Sequence, residues 1–228
     1  PGQLVGELAS VTWWRRRTAQ RLLVERGEKS TIPALSAILR DAKAPQTRLH
    51  ALYTLEGLRA LSPDLVLEAL DDPHFAVRLH ALALSEPWLD KEPRLLEKVV
   101  ALAADPRPRV ALQVALSLGA SKDAKAVEAL KRLAARHGAD SWMQAAILSS
   151  AAESAADLLA SILRQPSEAG EAATLAPSLA SIVGARRRDA ELGRVLEAVA
   201  VVGGDRAVAI QAACLKGLLE GLKQARSQ

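Results

Sequence analysis

Arg48-Leu49-His50-Ala51-Leu52 recurs as Arg78-Leu79-His80-Ala81-Leu82 thirty residues further on. An identical pentapeptide at that spacing marks a chain built from repeats, each one supersecondary unit long. The register extends in both directions. Thirty-two residues before Arg48 lies Arg16, within Trp14-Arg15-Arg16-Arg17-Thr18-Ala19. Thirty-three after Arg78 lies Ala111, within Arg109-Val110-Ala111-Leu112-Gln113-Val114, and thirty-three later Gln144, within Trp142-Met143-Gln144-Ala145-Ala146-Ile147. Five units of 30–33 residues emerge, each read as a pair of helices.

Composition agrees with helices. Half of the 228 residues are apolar but only 3% are aromatic, and Ala and Leu carry the load. Both residues favour helix, and Ala lets helix axes approach closely. No β-branched run with period-two alternation is present, which argues against a sheet. First helices are expected at about 2–9, 32–40, 63–70, 93–104 and 122–136, and second helices at about 13–26, 46–60, 74–85, 107–118 and 141–151. Thr31-Ile32-Pro33, Ser62-Pro63 and Glu92-Pro93 read as helix starts, because a hydroxyl caps free amides and a first-turn Pro loses no hydrogen bond. Ser121 and Ser154 are further cap candidates, and Asp71-Asp72-Pro73 and Asp105-Pro106 read as sharp breaks.

In the third unit one apolar stripe is Val77, Ala81 and Leu84 and another is Phe75, Leu79 and Leu82, the pattern of a helix covered on two sides. Beyond Ser154 the register fades. Helices are expected at about 155–163, 168–183, 189–201 and 206–223, with breaks at Gln165-Pro166-Ser167 and Gly203-Gly204-Asp205. Lys223-Gln224-Ala225-Arg226 suits the negative end of the last helix dipole, and a terminal unit calls for a polar outer face. The reading is one all-α domain over 1–228, a right-handed α-α superhelix with five regular pairs over 1–151 and divergent helices and a cap over 152–228. The chain starts at Pro1 and its only Met is Met143, so it reads as a piece excised from a larger protein.

Asp72-Pro73-His74-Phe75-Ala76-Val77-Arg78 resembles the second helix of a HEAT repeat, and Asp105-Pro106-Arg107-Pro108-Arg109-Val110 resembles it in part, with Ala111 in place of the Arg. The resemblance covers 1–151 well and 152–228 weakly, and it implies an armadillo-type solenoid that binds proteins. A narrower resemblance is carried by Trp13-Trp14-Arg15-Arg16-Arg17-Thr18-Ala19-Gln20-Arg21-Leu22-Leu23, by 48–58, by Ile147-Leu148-Ser149-Ser150-Ala151 and by Gly217-Leu218-Leu219-Glu220-Gly221-Leu222. These are similar to the HEAT region of planctomycete-type proteins described as membrane-bound dehydrogenase-like. That family implies a β-propeller before the HEAT region, a haem-binding cytochrome c module after it, and an extracytoplasmic setting. This chain has no Cys-x-x-Cys-His, so neither the haem nor the dehydrogenase chemistry passes to it.

The net charge of +4 is small, and the only basic clusters are Arg15-Arg16-Arg17 and Arg186-Arg187-Arg188, read as solvated or structural. Cys214 stands alone, which excludes a disulfide, and reads as a buried filler. Of the four histidines, His50, His74, His80 and His137, His50 and His80 fall in equivalent positions about one repeat apart, roughly 10 Å, beyond the reach of a shared metal, and no phosphate loop or nucleophile elbow is present. No cofactor, metal or catalytic residue is therefore expected. Arg16, Arg48 and Arg78 read as structural, each reaching a turn carbonyl or an acid such as Asp72. Trp13, Trp14 and Trp142 are expected to plug gaps beside the inter-helix turns, and Trp88 to cover the core in part.

Second helices line the concave side of such solenoids, so their remaining positions are the candidate binding face: Thr18, Arg21, His50, Tyr53, His80 and Gln113. That polar, partly aromatic mixture suits a protein partner or a neighbouring domain of the same polypeptide. Nucleic acid in a glycosylase-like groove is the alternative, weakened by His and Gln where Lys and Arg would be needed. A lyase of the bilin-attaching HEAT-like type is a third, with no catalytic set to carry it. No apolar run reaches transmembrane length.

Overall fold

The computed structural model describes residues 1–164, 170–204 and 207–225, and among them every regular element is helical, with no strand. The first ten helices are α1 (Gly2–Glu7), α2 (Trp13–Glu25), α3 (Ile32–Asp41), α4 (Pro45–Gly57), α5 (Pro63–Leu70), α6 (Phe75–Ser85), α7 (Pro93–Ala101), α8 (Pro108–Ser117), α9 (Ala124–His137) and α10 (Ser141–Ser150). They follow the five expected pairs to within a few residues. The remaining four are α11 (Ala155–Arg164), α12 (Ala176–Arg186), α13 (Asp189–Ala200) and α14 (Ala207–Gln224). This is an all-α helical solenoid. The chain falls into two compact units, Pro1–Lys98 and Val99–Gln228.

In the N-terminal unit, α1 packs on α2, α3 on α4 and α5 on α6. The second helices α2, α4 and α6 neighbour one another in a row, and α3 neighbours α5 in the other layer. The core between the layers is made of fully buried Leu23, Leu35, Leu52, Leu55, Leu70, Val77, Ala81 and Leu82. Leu49, Leu79, Phe75 and Leu84 are only half-buried, so the two-sided covering of the second helices is partial. Ion pairs tie the first-helix layer together on the outside: Arg40 Nε to Glu68 Oε2 at 2.7 Å, Arg94 to Asp64 at 3.0 Å, and Lys98 to Asp71. Such exposed pairs add little, because water and salt screen them.

Local chemistry explains the boundaries, with two corrections. Ser62 Oγ accepts from Leu65 N at 3.3 Å, as an N-cap should. Thr31 does not cap: a 3-10 turn, Lys29–Thr31, leads into α3, and the Thr31 hydroxyl donates back to Glu28 O at 2.6 Å. Ser121 is displaced from its expected role by Asp123, whose Oδ1 accepts from Lys125 N at 2.8 Å. The Asp-Pro breaks work through the carboxylate. Asp72 Oδ1 accepts from His74 N at 2.7 Å and Asp105 Oδ1 from Arg107 N at 2.8 Å, folding each Asp-Pro-x into a tight turn before the next helix.

In the C-terminal unit α8 packs on α10, α9 on α10 and α11, α11 on α12 and α13, and α12 on α14. The single helix expected over 168–183 is instead a 3-10 stretch, Gly170–Leu175, followed by α12. Pro177 is the cause: it lies in the first turn of α12, where its missing N–H costs nothing and a continuing helix could not pass. The break expected at Gln165-Pro166-Ser167 lies outside the described residues, as do Asp205 and Arg226. Parallel helices α12 and α14 approach so closely that a Cβ at Gly217 would strike Pro177 O, one at Gly221 would strike Ser181 O, and one at Gly184 would strike Leu218 O. Cys214 fills the same seam, fully buried, and burial pushes its thiol up to about 11. The outer side of α14 mixes exposed Val208, Leu215 and Leu219 with the charged Lys216 and Glu220, so it is polar only in part.

Candidate binding groove

The register residues act on the turns. Arg16 Nη1 donates to Ser10 O (2.7 Å) and Val11 O (3.0 Å); Arg48 Nη1 to Ala42 O (2.6 Å) and Lys43 O (3.1 Å); Arg78 Nη1 to Asp72 O (2.8 Å) and Pro73 O (3.2 Å). In every case the acceptors are the carbonyls six and five residues earlier, which precede the second helix of the unit. Gln144 keeps half of this with a shorter side chain, its Nε2 donating to Gly138 O at 2.6 Å. Ala111 cannot. Arg48 adds a fork to Asp72, Nε to Oδ2 at 2.6 Å and Nη2 to Oδ1 at 2.7 Å, with both side chains almost wholly buried. Arg16 Nε is buried without a hydrogen-bond partner among the described residues.

The basic clusters are engaged in the same way. Arg15 pairs with Glu7 at 2.6 Å, and Arg17 lies over the Trp13 ring with its Cζ 5.8 Å from the centroid. Arg186 Nη1 donates to Ala152 O at 2.5 Å and to Glu153 Oε1 at 2.7 Å, while its Nε reaches Glu191 Oε2 at 3.0 Å. The hydrogen bond and charge of Arg186 hold the Glu153 carboxyl down at about 2. Arg187 takes the left-handed conformation that ends α12, and Arg188 reaches Glu191 at 3.2 Å.

With the turns fixed, the free sides of α2 and α4 enclose an open groove of about 830 Å³. Its walls include Thr18, Arg21, His50 and Tyr53 from the expected set, together with Gln20 and Glu56, which sequence reasoning missed. Gln20 is one helical turn on from Arg16, and the 32-residue offset that brings Arg16 to Arg48 brings it to Leu52, a buried core position, so the repeat register carries no signal for it. Gly57 lets the end of α4 approach α2, since a Cβ there would come 2.7 Å from a Val24 methyl.

Two hydrogen-bonded pairs order this face. His50 Nδ1 and Gln20 Oε1 are 2.7 Å apart, and Tyr53 Oη and His80 Nδ1 are 2.7 Å apart, with the last two rings edge to face at 5.4 Å. His80 is thus joined to the groove through Tyr53. Burial lowers the pKa of His50, with the positive charge of Arg16 adding to it, and burial lowers that of His80. Burial, then Glu56, raises that of the Tyr53 phenol. All three are neutral at neutral pH. His50 then donates from Nδ1 to Gln20, and Tyr53 donates to His80, whose Nε2–H is left as a donor. The wall therefore presents a donor at His80 and, with the His50 proton on Nδ1, an acceptor at His50 Nε2, a combination that suits the carbonyl and N–H groups of a peptide backbone. Gln113, the remaining candidate, belongs to the other unit, where its Nε2 donates to Ser117 Oγ at 3.1 Å.

His74 caps α6, its Nδ1 accepting from Ala76 N at 3.3 Å. The tryptophans correct the expectation. Trp13, Trp14 and Trp142 are 61%, 56% and 75% exposed, so they plug no gap; each is at the solvent edge of the first turn of its helix. Trp88 is half-covered, in a 3-10 turn after α6. Among the described residues no group of three or more His, Cys, Asp or Glu could hold a metal ion, and no helix is long and apolar enough to cross a membrane.

Residues 62–152 match the family model of HEAT repeats. HEAT repeats generally act as protein-interaction scaffolds. Arg16 and Arg48 lie before the matched span, yet they make the same pair of turn hydrogen bonds as Arg78 within it. No curated protein matches the chain.

Proposed function

We propose that this chain is a non-catalytic HEAT-repeat scaffold, and that the groove between α2 and α4 holds an extended segment of a partner protein or of a neighbouring domain of the same polypeptide. The observation that carries the reading is the ordered polar wall: His50 braced by Gln20 and His80 braced by Tyr53, beside an open groove of about 830 Å³. Charges of both signs, Arg17, Arg21, Glu25 and Glu56, rim it, which suits a peptide of mixed composition better than a polyphosphate. Domains such as the propeller and haem module flanking the HEAT region of dehydrogenase-like proteins are the partners to try first.

Pull-down of such flanking domains on the whole chain tests this. Capture that weakens roughly tenfold on His50→Ala or Tyr53→Ala is the expected result. Capture by neither kind of flanking domain, or capture indifferent to both substitutions, sinks the proposal. A labelled DNA duplex serves as the control: a shift that fades with rising salt would instead favour nucleic acid.

A further inference from the structure

The fourth repeat departs from the others at one position. Arg16, Arg48 and Arg78 place a guanidinium against the turn that precedes their helix, and Gln144 places an amide there; the fourth register residue is Ala111, which is buried. Ala111 forms part of the wall of a cavity of about 280 Å³ between α8 and α10. Pro108, Leu112, Trp142 and Met143 supply most of the rest, so the walls are chiefly apolar. The indole of Trp142 stands at this cavity 75% exposed. Arg109 and His137 are on its polar edge, and Arg109 makes no hydrogen bond or ion pair with any described residue. Asp140, also on the edge, is occupied in capping α10 through Met143 N at 2.8 Å.

We infer that this cavity is a docking site for one apolar side chain, Leu or Phe, carried on an extended peptide of a partner protein with acidic residues beside the anchor. Three features converge on that occupant. The volume is just below the roughly 300–1,000 Å³ of small-molecule sites, which fits a single anchoring side chain. An exposed Trp over an apolar recess is the residue type that dominates interface energetics once covered. Arg109, at the rim and without a partner among the described residues, selects acidic neighbours over basic ones by charge complementarity. The site uses residues of the C-terminal unit alone and goes beyond the groove between α2 and α4.

Fluorescence anisotropy of fluorescein-labelled Glu-Asp-Leu-Phe-Asp-Glu with the whole chain tests the inference, with Glu-Asp-Ser-Ser-Asp-Glu and Lys-Lys-Leu-Phe-Lys-Lys as controls. Saturable binding of the first peptide alone is expected, weakened roughly tenfold by Trp142→Ala. Ala111→Arg, which restores the residue of the first three repeats, abolishes binding while helicity and melting temperature hold. Arg109→Glu shifts the preference toward the basic peptide. The inference is overturned if the first peptide fails to bind, if the Ser control binds equally, if the basic peptide binds best, or if Trp142→Ala changes nothing. Should Ala111→Arg fail to fold, Trp142→Ala decides alone, because its side chain is exposed.

Discussion

Arg48 in the N-terminal unit and Arg186 in the C-terminal unit do the same work under different rules. Each guanidinium donates to a turn carbonyl and to carboxylates, and each ties together segments far apart in sequence. Arg48 is one member of a register, and its carbonyl acceptors are always six and five residues back. Arg186 has no register: its acceptors are Ala152 and Glu153, more than thirty residues earlier, and Glu191 just ahead. Their acids differ more. Asp72 is almost wholly buried, whereas Glu153 is 71% exposed. A repeat can reuse a local hydrogen bond indefinitely, while a cap must assemble its arginine site from whatever segments meet there.

The comparison breaks most visibly at Asp72. Asp72→Ala strands a buried guanidinium and removes the turn bond to His74, so urea unfolding should show a loss of about 3–5 kcal/mol. Glu153→Gln, at the matching place in the other unit, should move the midpoint far less, since water screens the exposed carboxylate. Comparable losses at the two sites would erase the distinction drawn from burial.

Next in size is the close approach of α12 and α14 in the C-terminal unit. Gly221→Ala puts a methyl against Ser181 O and should destabilise by about 1–3 kcal/mol in thermal melts. Helix propensity alone gives the opposite sign, a gain of about 0.8–1 kcal/mol. A stabilised variant would mean that α12 and α14 do not meet as described.

Acid should separate the units in a third way. The folded pKa of Glu153, at about 2, is below its unfolded value, so its stabilisation is complete above the ordinary carboxylate range and is lost as pH falls toward 2. His50 and His80 are lowered as well, and an unfolded histidine binds its proton first. Their penalty therefore begins at about 6.5, the unfolded histidine value, and grows as pH falls. Melting followed against pH should show a decline starting near 6.5 that His50→Gln and His80→Gln diminish, and a separate one below 4 that Glu153→Gln removes.

The smallest effect concerns the helix ends. Gly27 closes α2 with φ +62 and Arg59 closes α4, one repeat on, with φ +55. A non-glycine residue there costs about 1–2 kcal/mol, of which glycine's own entropy takes back about 0.5–1. Arg59→Gly should therefore stabilise by about 0.5–1 kcal/mol in calorimetry. A loss would show that the Arg59 side chain holds the turn in a way Gly27 does not.

Much of this was legible in the residues. The Arg-Leu-His-Ala-Leu pair set the register, and Ser62-Pro63, Asp72-Pro73 and Asp105-Pro106 set the helix starts, because caps and proline turns act within a few residues. Thr31 misled because a hydroxyl has a second local acceptor in Glu28 O. The groove positions Thr18, Arg21, His50 and Tyr53 followed from the register, but Gln20 and the Tyr53–His80 bond did not, since both depend on how far neighbouring helices are offset. The exposed tryptophans were misread because an aromatic residue at a helix start carries no mark of whether anything will cover it.

By itself the sequence determined the repeat length, the pairing of helices and a short choice of partners for Arg16, Arg48 and Arg78, a turn carbonyl or an acid such as Asp72, because these follow from spacing along the chain. Only the tertiary structure decided that Arg48 would take both its turn carbonyls and Asp72, that Gly217 and Gly221 would face the backbone of α12, and that Ala111 would leave a recess beside Trp142. Those outcomes depend on the close packing of segments distant in the chain, where a displacement of a single methyl group separates contact from void.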